Sequence, residues 1–218
     1  MSGAGLTLVI GNRNYSSWSL RPWLAMKQAG IAFDEERILL DRPDTKQQIL
    51  RRSPSGRVPC LIDGALAVWD SLAICEYVNE RYAGGGLWPG DIAQRARARA
   101  VAAEMHSGFA ALRANMPMDI RGHYPGKGAT ARELPDVRAD IDRIHALWTD
   151  CLAASGGPFL FGAFSIADAF YAPVVTRFRT YATALPARLA DYSEAVFALP
   201  AMQTWVAAAR AEPETIDQ

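Results

Sequence analysis

The sequence carries no excess charge of either sign: 23 Lys and Arg residues balance 23 Asp and Glu residues. A chain with zero net charge has no long-range field to draw in nucleic acid or an anionic membrane, so neither is expected as its main partner. No apolar run approaches the roughly 20 residues that span a bilayer. The opening stretch has no basic leader region, and its apolar run, Leu6 to Ile10, is too short for a secretory signal. Cysteine is scarce. Cys60, Cys75 and Cys151 form an odd, scattered set, which argues against a disulfide framework and for a reducing cytoplasm. Histidine is as scarce. His106, His123 and His145 make no ligand-spaced pair with each other or with the cysteines, so no metal site is expected. There is no internal repeat and no Gly-x-Ser-x-Gly elbow. Gly126-Lys127-Gly128 lacks the upstream glycine and the following Ser or Thr of a phosphate loop.

What is present is an ordinary globular composition. Hydrophobic residues make up 50% of the 218, enough for one large domain or two small ones. The first eighty residues alternate strand and helix. Leu6 to Ile10 reads as a buried strand. Leu20 to Ala29 reads as a helix, with Ser19 as N-cap, Pro22 in the first turn and Gly30 as the stop. Ala32 to Leu39 holds a second strand, and Thr45 to Leu50 a short helix. Val58 to Ile62 and Leu66 to Val68 flank Asp63-Gly64, a two-residue hairpin signal. Asp70 then caps a helix to about Tyr82, with Leu72, Cys75, Val78 and Tyr82 on one face. The order is β-α-β-α-β-β-α.

Gly84-Gly85-Gly86 and Pro89-Gly90 mark a linker, and the rest reads as helix. Met105, Phe109, Leu112 and Met116 recur at helical spacing, as do Val137, Ile141, Ile144, Trp148 and Cys151. A glycine-rich loop, Arg121 to Thr130, separates them. Further helices are predicted from Ile166 to about Thr180 and from Pro200 to Arg210. The expected division is 1–83, linker 84–90, and 91–218.

Three features bear on chemistry. The first is Tyr15-Ser16-Ser17-Trp18-Ser19-Leu20-Arg21-Pro22-Trp23, where hydroxyls and backbone N–H groups gather at a helix N-terminus that favours anions. Serines in this setting also serve as plain caps. The second is Arg57-Val58-Pro59-Cys60. Proline entering an interior strand is out of place unless the bond is cis. The Val58 backbone would then be free to pair with an extended peptide ligand. The third is Asp70-Ser71 at the head of the next helix, a cap that can also hold a ligand's carboxylate or amine.

The order and spacing of these pieces resemble the glutathione transferase family, and Ser16-Ser17-x-Ser19-x-Arg21 is similar to the signature of its zeta class, which includes maleylacetoacetate isomerase. The resemblance extends through Phe164-Ser165-Ile166-Ala167-Asp168, like the family's buried capping box, and Leu199-Pro200-Ala201-Met202-x-x-Trp205, like its last helix. It implies an α/β thioredoxin-like N-terminal domain that binds glutathione, an all-α C-terminal domain that shapes an electrophile pocket, and a cytoplasmic homodimer. By the same resemblance, Ser16 stabilises the thiolate of glutathione, Val58 pairs with its cysteinyl backbone, and Asp70 and Ser71 hold its γ-glutamyl end. Ser17 and Arg57 are further binding candidates, Arg57 as partner of a glutathione carboxylate. Trp18 stands where the zeta class carries cysteine, so the resemblance does not carry isomerase activity over; it implies a transferase acting on a small electrophile, with a glutathione-dependent isomerase of a small dicarboxylic or keto acid and a non-catalytic binding or regulatory module as the alternatives. Expected pocket walls are Trp18, Met105, Phe109, Arg113 and Met116. Arg177 and Arg179 are candidates for a substrate carboxylate, although most arginines face solvent.

Overall fold

Alternation along the first strand decides the architecture. In β1 (Thr7–Ile10), Leu8, Val9 and Ile10 are all fully buried, because successive side chains enter two different cores. Leu8 and Ile10 join the large core, while Val9 packs with Ile38, Ile49 and Cys60 on the other face. The computed structural model describes residues 5–216. The first four residues of the segment expected to lack a leader lie outside it, as do the last two of the expected second domain.

β1 runs parallel to β2 (Asp34–Arg37) and antiparallel to β3 (Cys60–Asp63), which in turn pairs with β4 (Leu66–Trp69). The sheet order is β2-β1-β3-β4. Helices α1 (Ser17–Gln28), α2 (Thr45–Leu50) and α3 (Ser71–Arg81) complete the β-α-β-α-β-β-α order. Among the described residues seven helices follow: α4 (Ile92–Ser107), α5 (Ala110–Asn115), α6 (Pro125–Glu133), α7 (Pro135–Ser155), α8 (Ile166–Thr180), α9 (Ala187–Phe197) and α10 (Pro200–Ala211). Among the described residues no helix is long and apolar enough to cross a membrane.

α8 is the hub. It is buried almost throughout and packs against α1, α4 and α9. Its start is fixed by Asp168, whose carboxylate accepts from the Ser165 N–H at 2.8 Å, the Ser165 hydroxyl at 3.0 Å and the Leu160 N–H at 3.0 Å. The capping box expected from Ser165 and Asp168 is therefore present.

Several expectations need correction. α1 starts at Ser17, with Ser16 at the N-cap position, so Ser19 lies inside the helix and Pro22 falls beyond the first turn. Pro59 precedes β3 instead of lying within it, and the Val58–Pro59 bond is cis. The buried face of α3 is Ser71, Ile74, Cys75 and Val78, while Tyr82 is exposed. The repeat from Met105 to Met116 is not one helix. Gly108 ends α4, and Phe109, with φ 57 in the left-handed region, turns the chain into α5. The glycine-rich stretch is largely helical, as α6. Gly128 lets that helix touch the Tyr181 carbonyl, where a Cβ would collide. α9 escaped prediction although Leu189, Tyr192, Ser193 and Val196 repeat at helical spacing on its buried side. The linker is anchored: Leu87 and Trp88 are buried, the Leu87 N–H donates to Asn79 Oδ1 and the Leu87 carbonyl accepts from Ile166.

Candidate active site

The N-terminus of α3 has the most constrained backbone in the region. Asp70 sits at φ 76, ψ 134, a conformation that costs a residue with a β-carbon about 1–3 kcal/mol. Its Oδ1 offsets part of this by accepting from the Leu72 N–H at 2.8 Å and the Ala73 N–H at 3.3 Å. Its Oδ2 lies 3.2 Å from His106 Nε2 on α4. Ser71 follows as the first helical residue. It is buried, and its hydroxyl has no hydrogen-bond partner among the described residues. A buried hydroxyl left unpaired costs about 1–3 kcal/mol, and this one stands where N–H groups and the helix dipole favour a negative group.

The head of α3 opens on a cavity of about 580 Å³. Of the residues expected to bind ligand, Trp18, Arg57, Val58, Asp70 and Ser71 line it. Ser55, Pro59, Trp69 and His106 line it as well; Pro59 belongs to the motif around Val58, and the other three were not singled out. Trp69 follows from the hairpin's end. His106 has no sequence signal: it is a solitary histidine at the last turn of α4, and only packing brings it to Asp70. Burial lowers its pKa, and Arg21 and Arg113 lower it further, against the pull of Asp70. The neutral ring donates Nε2–H to Asp70, which leaves Nδ1 buried and unpartnered.

Ser16 and Ser17 do not line this cavity. Both are buried at the entry to α1. The Ser16 hydroxyl lies 2.7 Å from the Ser19 hydroxyl, which accepts the Gly11 N–H at 3.1 Å. Ser19 can therefore donate its hydrogen bond to the Ser16 oxygen, leaving the Ser16 hydrogen free for a further acceptor.

Of the expected pocket walls, Met105, Phe109 and Met116 are buried in the helical core and do not line the cavity. Arg113 turns back to the end of α4. Its guanidinium donates to the Gly108 carbonyl at 3.0 Å, the His106 carbonyl at 3.2 Å and the Met105 carbonyl, where a cation suits the C-terminal dipole. Arg177 is buried, contrary to the usual solvent-facing role, with Nε donating to the Met116 carbonyl at 2.9 Å and Nη1 unpartnered. Arg179 pairs with Glu194 and stacks on Phe197, away from the cavity.

Behind the cavity lies an unusual group of charges. Arg21 is fully buried, and Nε, Nη1 and Nη2 all lack hydrogen-bond partners among the described residues. Its guanidinium instead meets two aromatic faces, Trp18 at 4.2 Å and Phe170 at 4.8 Å. Arg113 lies 4.9 Å from the same Trp18 ring. Burial depresses the pKa of Arg21, and repulsion by Arg113 and Arg177 depresses it further. Burial, with Arg113 next, brings Arg177 down to about 9. Among the described residues none of these three arginines forms an ion pair with a carboxylate. Burying an ion costs several kcal/mol, and a cation–π contact returns only about 0.5–2 kcal/mol. The sequence motif contained Arg21, but nothing in it foretold an unpaired interior charge. Among the described residues no cluster of His, Cys, Asp and Glu could hold a metal ion.

Comparison with known proteins agrees with this layout. The family model "Glutathione S-transferase, N-terminal domain" matches residues 15–81, and "Glutathione S-transferase, C-terminal domain" matches residues 91–211. A zeta-class glutathione S-transferase of Euphorbia esula is 28% identical over 194 residues, covering 86% of this chain and 84% of that one. A dichloromethane dehalogenase of Methylorubrum extorquens is 40% identical over 67 residues, and the match spans 30% of this chain and only 23% of that protein's length. A glutathione transferase homologue from Burkholderia, solved with bound glutathione, superposes with a TM-score of 0.71 at 24% identity, covering 95% of this chain and 98% of that one.

Proposed function

The chain belongs to the glutathione S-transferase family, and from that premise we propose that it is an enzyme that ionises the glutathione thiol and directs it at a small electrophile. The observation that carries this reading is the Ser71 hydroxyl, buried without a partner at the head of α3 in one cavity wall with Val58 and Asp70. A γ-glutamyl carboxylate satisfies that hydroxyl and the helix terminus together. Asp70 takes the amine, the Val58 backbone pairs with the cysteinyl unit, and Arg57, exposed beside them, takes the remaining carboxylate.

Ser16 supplies the activation. A free thiol has a pKa of about 8.5, so only a few per cent is ionised near neutrality. Lowering that value by ~2 units takes roughly 2.7 kcal/mol. One hydroxyl donor to an anion contributes about 1.5–3 kcal/mol, and the N-terminus of α1 adds about 0.3–1 kcal/mol. Residues 1–83 thus hold glutathione and residues 91–218 face the electrophile. The reading extends to a cytoplasmic homodimer with a role in detoxification, and sedimentation at graded concentrations tests the dimer.

The test of the whole reading is retention on immobilised glutathione, followed by a pH–rate profile of wild type and Ser16→Ala with one conjugation substrate. The variant is expected to lose most activity near neutral pH and to recover part of it as pH rises. Identical profiles would remove Ser16 from the mechanism.

A further inference from the structure

Arg21, Arg113 and Arg177 put three cations from α1, α5 and α8 into one interior region, with Arg21 and Arg113 both against the Trp18 ring; after burial, Arg113 and Arg177 depress the pKa of Arg21, and Arg113 that of Arg177. The charged groups around them do not neutralise the set. Asp70, at the head of α3, reaches Arg21 only through space and is hydrogen-bonded to its own helix and to His106. Asp140 on α7 acts on Arg113 at a distance, while its Oδ2 accepts the Leu112 N–H at 2.9 Å. Cys75 on α3 is held protonated by burial. His106 on α4 is neutral for the same reason.

Trp18 is the cavity residue whose ring faces both Arg21 and Arg113. Its ring lines the cavity, covers the Arg21 and Arg113 guanidiniums, and meets His106 edge-on with centroids 5.2 Å apart. Long helical side chains lean toward the helix N-terminus, so Arg21 reaches up α1 to the ring of Trp18, one turn earlier. Resting on the proposed transferase reading, we propose that Trp18 is a movable cover over an anion subsite, and that the electrophile carries a carboxylate which displaces the ring and pairs with Arg21 and Arg113, with Arg177 adding field from behind. A planar carboxylate is favoured over a spherical anion because all three guanidinium nitrogens of Arg21 are unpartnered, which suits a two-point fork.

The test compares 4-(bromomethyl)benzoate with its methyl ester. In both, the glutathione sulfur forms a C–S bond as the C–Br bond breaks, bromide leaves with the bonding pair, and the thiol proton passes to buffer. Wild type is expected to favour the acid over the ester by at least about tenfold in kcat/KM, the effect of one charged hydrogen-bonded contact. That ratio is expected to fall toward one in Arg21→Met and Arg113→Gln, and to recover partly in Arg21→Lys. A wild-type ratio near one, or a ratio unchanged in the variants, overturns the subsite. A second measurement needs no variant and no glutathione. 4-Methylbenzoate should raise the melting temperature of wild type, and 4-methylbenzamide should not. Equal shifts overturn the proposal even if the variants fail to fold. Stabilisation by the benzoate with no conjugation of either probe would leave the anion subsite standing and remove the transferase reading instead.

Discussion

Two buried charged centres meet α8 and are built in opposite ways. Asp168 at its head is buried, and its two oxygens collect three donors at 2.8–3.0 Å. Arg21, against Phe170 of the same helix, is equally buried and has none. A buried charge with its hydrogen bonds made has no capacity left for a ligand and serves the fold. A buried charge left open stores free energy that only an incoming partner releases. The site described above follows the same division, because the unpaired Ser71 hydroxyl and His106 Nδ1 also lie at the cavity.

The comparison breaks if both centres respond alike to removal. Asp168→Ala should show the largest effect, a loss of about 3–5 kcal/mol near pH 5, because three buried donors lose their acceptor at once. Urea unfolding measures it, and glutathione affinity of the folded variant should hardly move. A variant of full stability that no longer binds would make Asp168 a site residue.

Arg21→Met should do the reverse. Replacing an unpaired buried charge with an apolar side chain of similar length should stabilise by about 1–3 kcal/mol. At roughly 2–4 °C per kcal/mol for a chain of this size, a thermal scan resolves the gain. A drop in melting temperature would mean that Arg21 holds the fold together.

The pH dependence of Asp168 sharpens the contrast. Burial pushes its carboxyl up to about 6, above the value of about 3.9 in an unfolded chain. The folded state therefore binds this proton more tightly. The group's contribution is complete below the unfolded value and is lost as pH rises through about 6. The margin of wild type over Asp168→Ala should shrink by roughly 1–3 kcal/mol between pH 4.5 and 7.5. A margin that widens with pH would show that the ionised form is the better partner.

Ser71→Ala should have the smallest effect. With its partner absent, the hydroxyl contributes nothing to the unliganded fold, so the variant should be at least as stable as wild type. Glutathione binding should weaken about tenfold, for loss of one hydrogen bond to a charged group. Unchanged binding would take Ser71 out of the site.

Much of the fold was legible. Thr45–Leu50 and Ile166–Thr180 form as predicted, because each is a run of one period between clear stops. Asp70 was legible as a cap because capping is local. Phe109 was misread because its side chain keeps the helical spacing while its backbone leaves the helix, and pattern reports only the side chain. α6 was taken for a loop because its glycines signal flexibility in sequence but serve contact with Tyr181 in space. The pairing of the Ser16 and Ser19 hydroxyls was not legible, because it depends on α1 starting at Ser17 and not after Ser19.

Sequence alone determined the order of elements in the first eighty residues, the family resemblance and the capping residues at the heads of α3 and α8, because these rest on neighbours within a few positions. Tertiary structure decided which polar groups find partners. His106 meets Asp70 across 36 positions, and Arg21, Arg113 and Arg177 converge from three helices. Burial is a property of everything packed around a residue, so no local pattern reveals that Asp168 is satisfied in the interior and Arg21 is not.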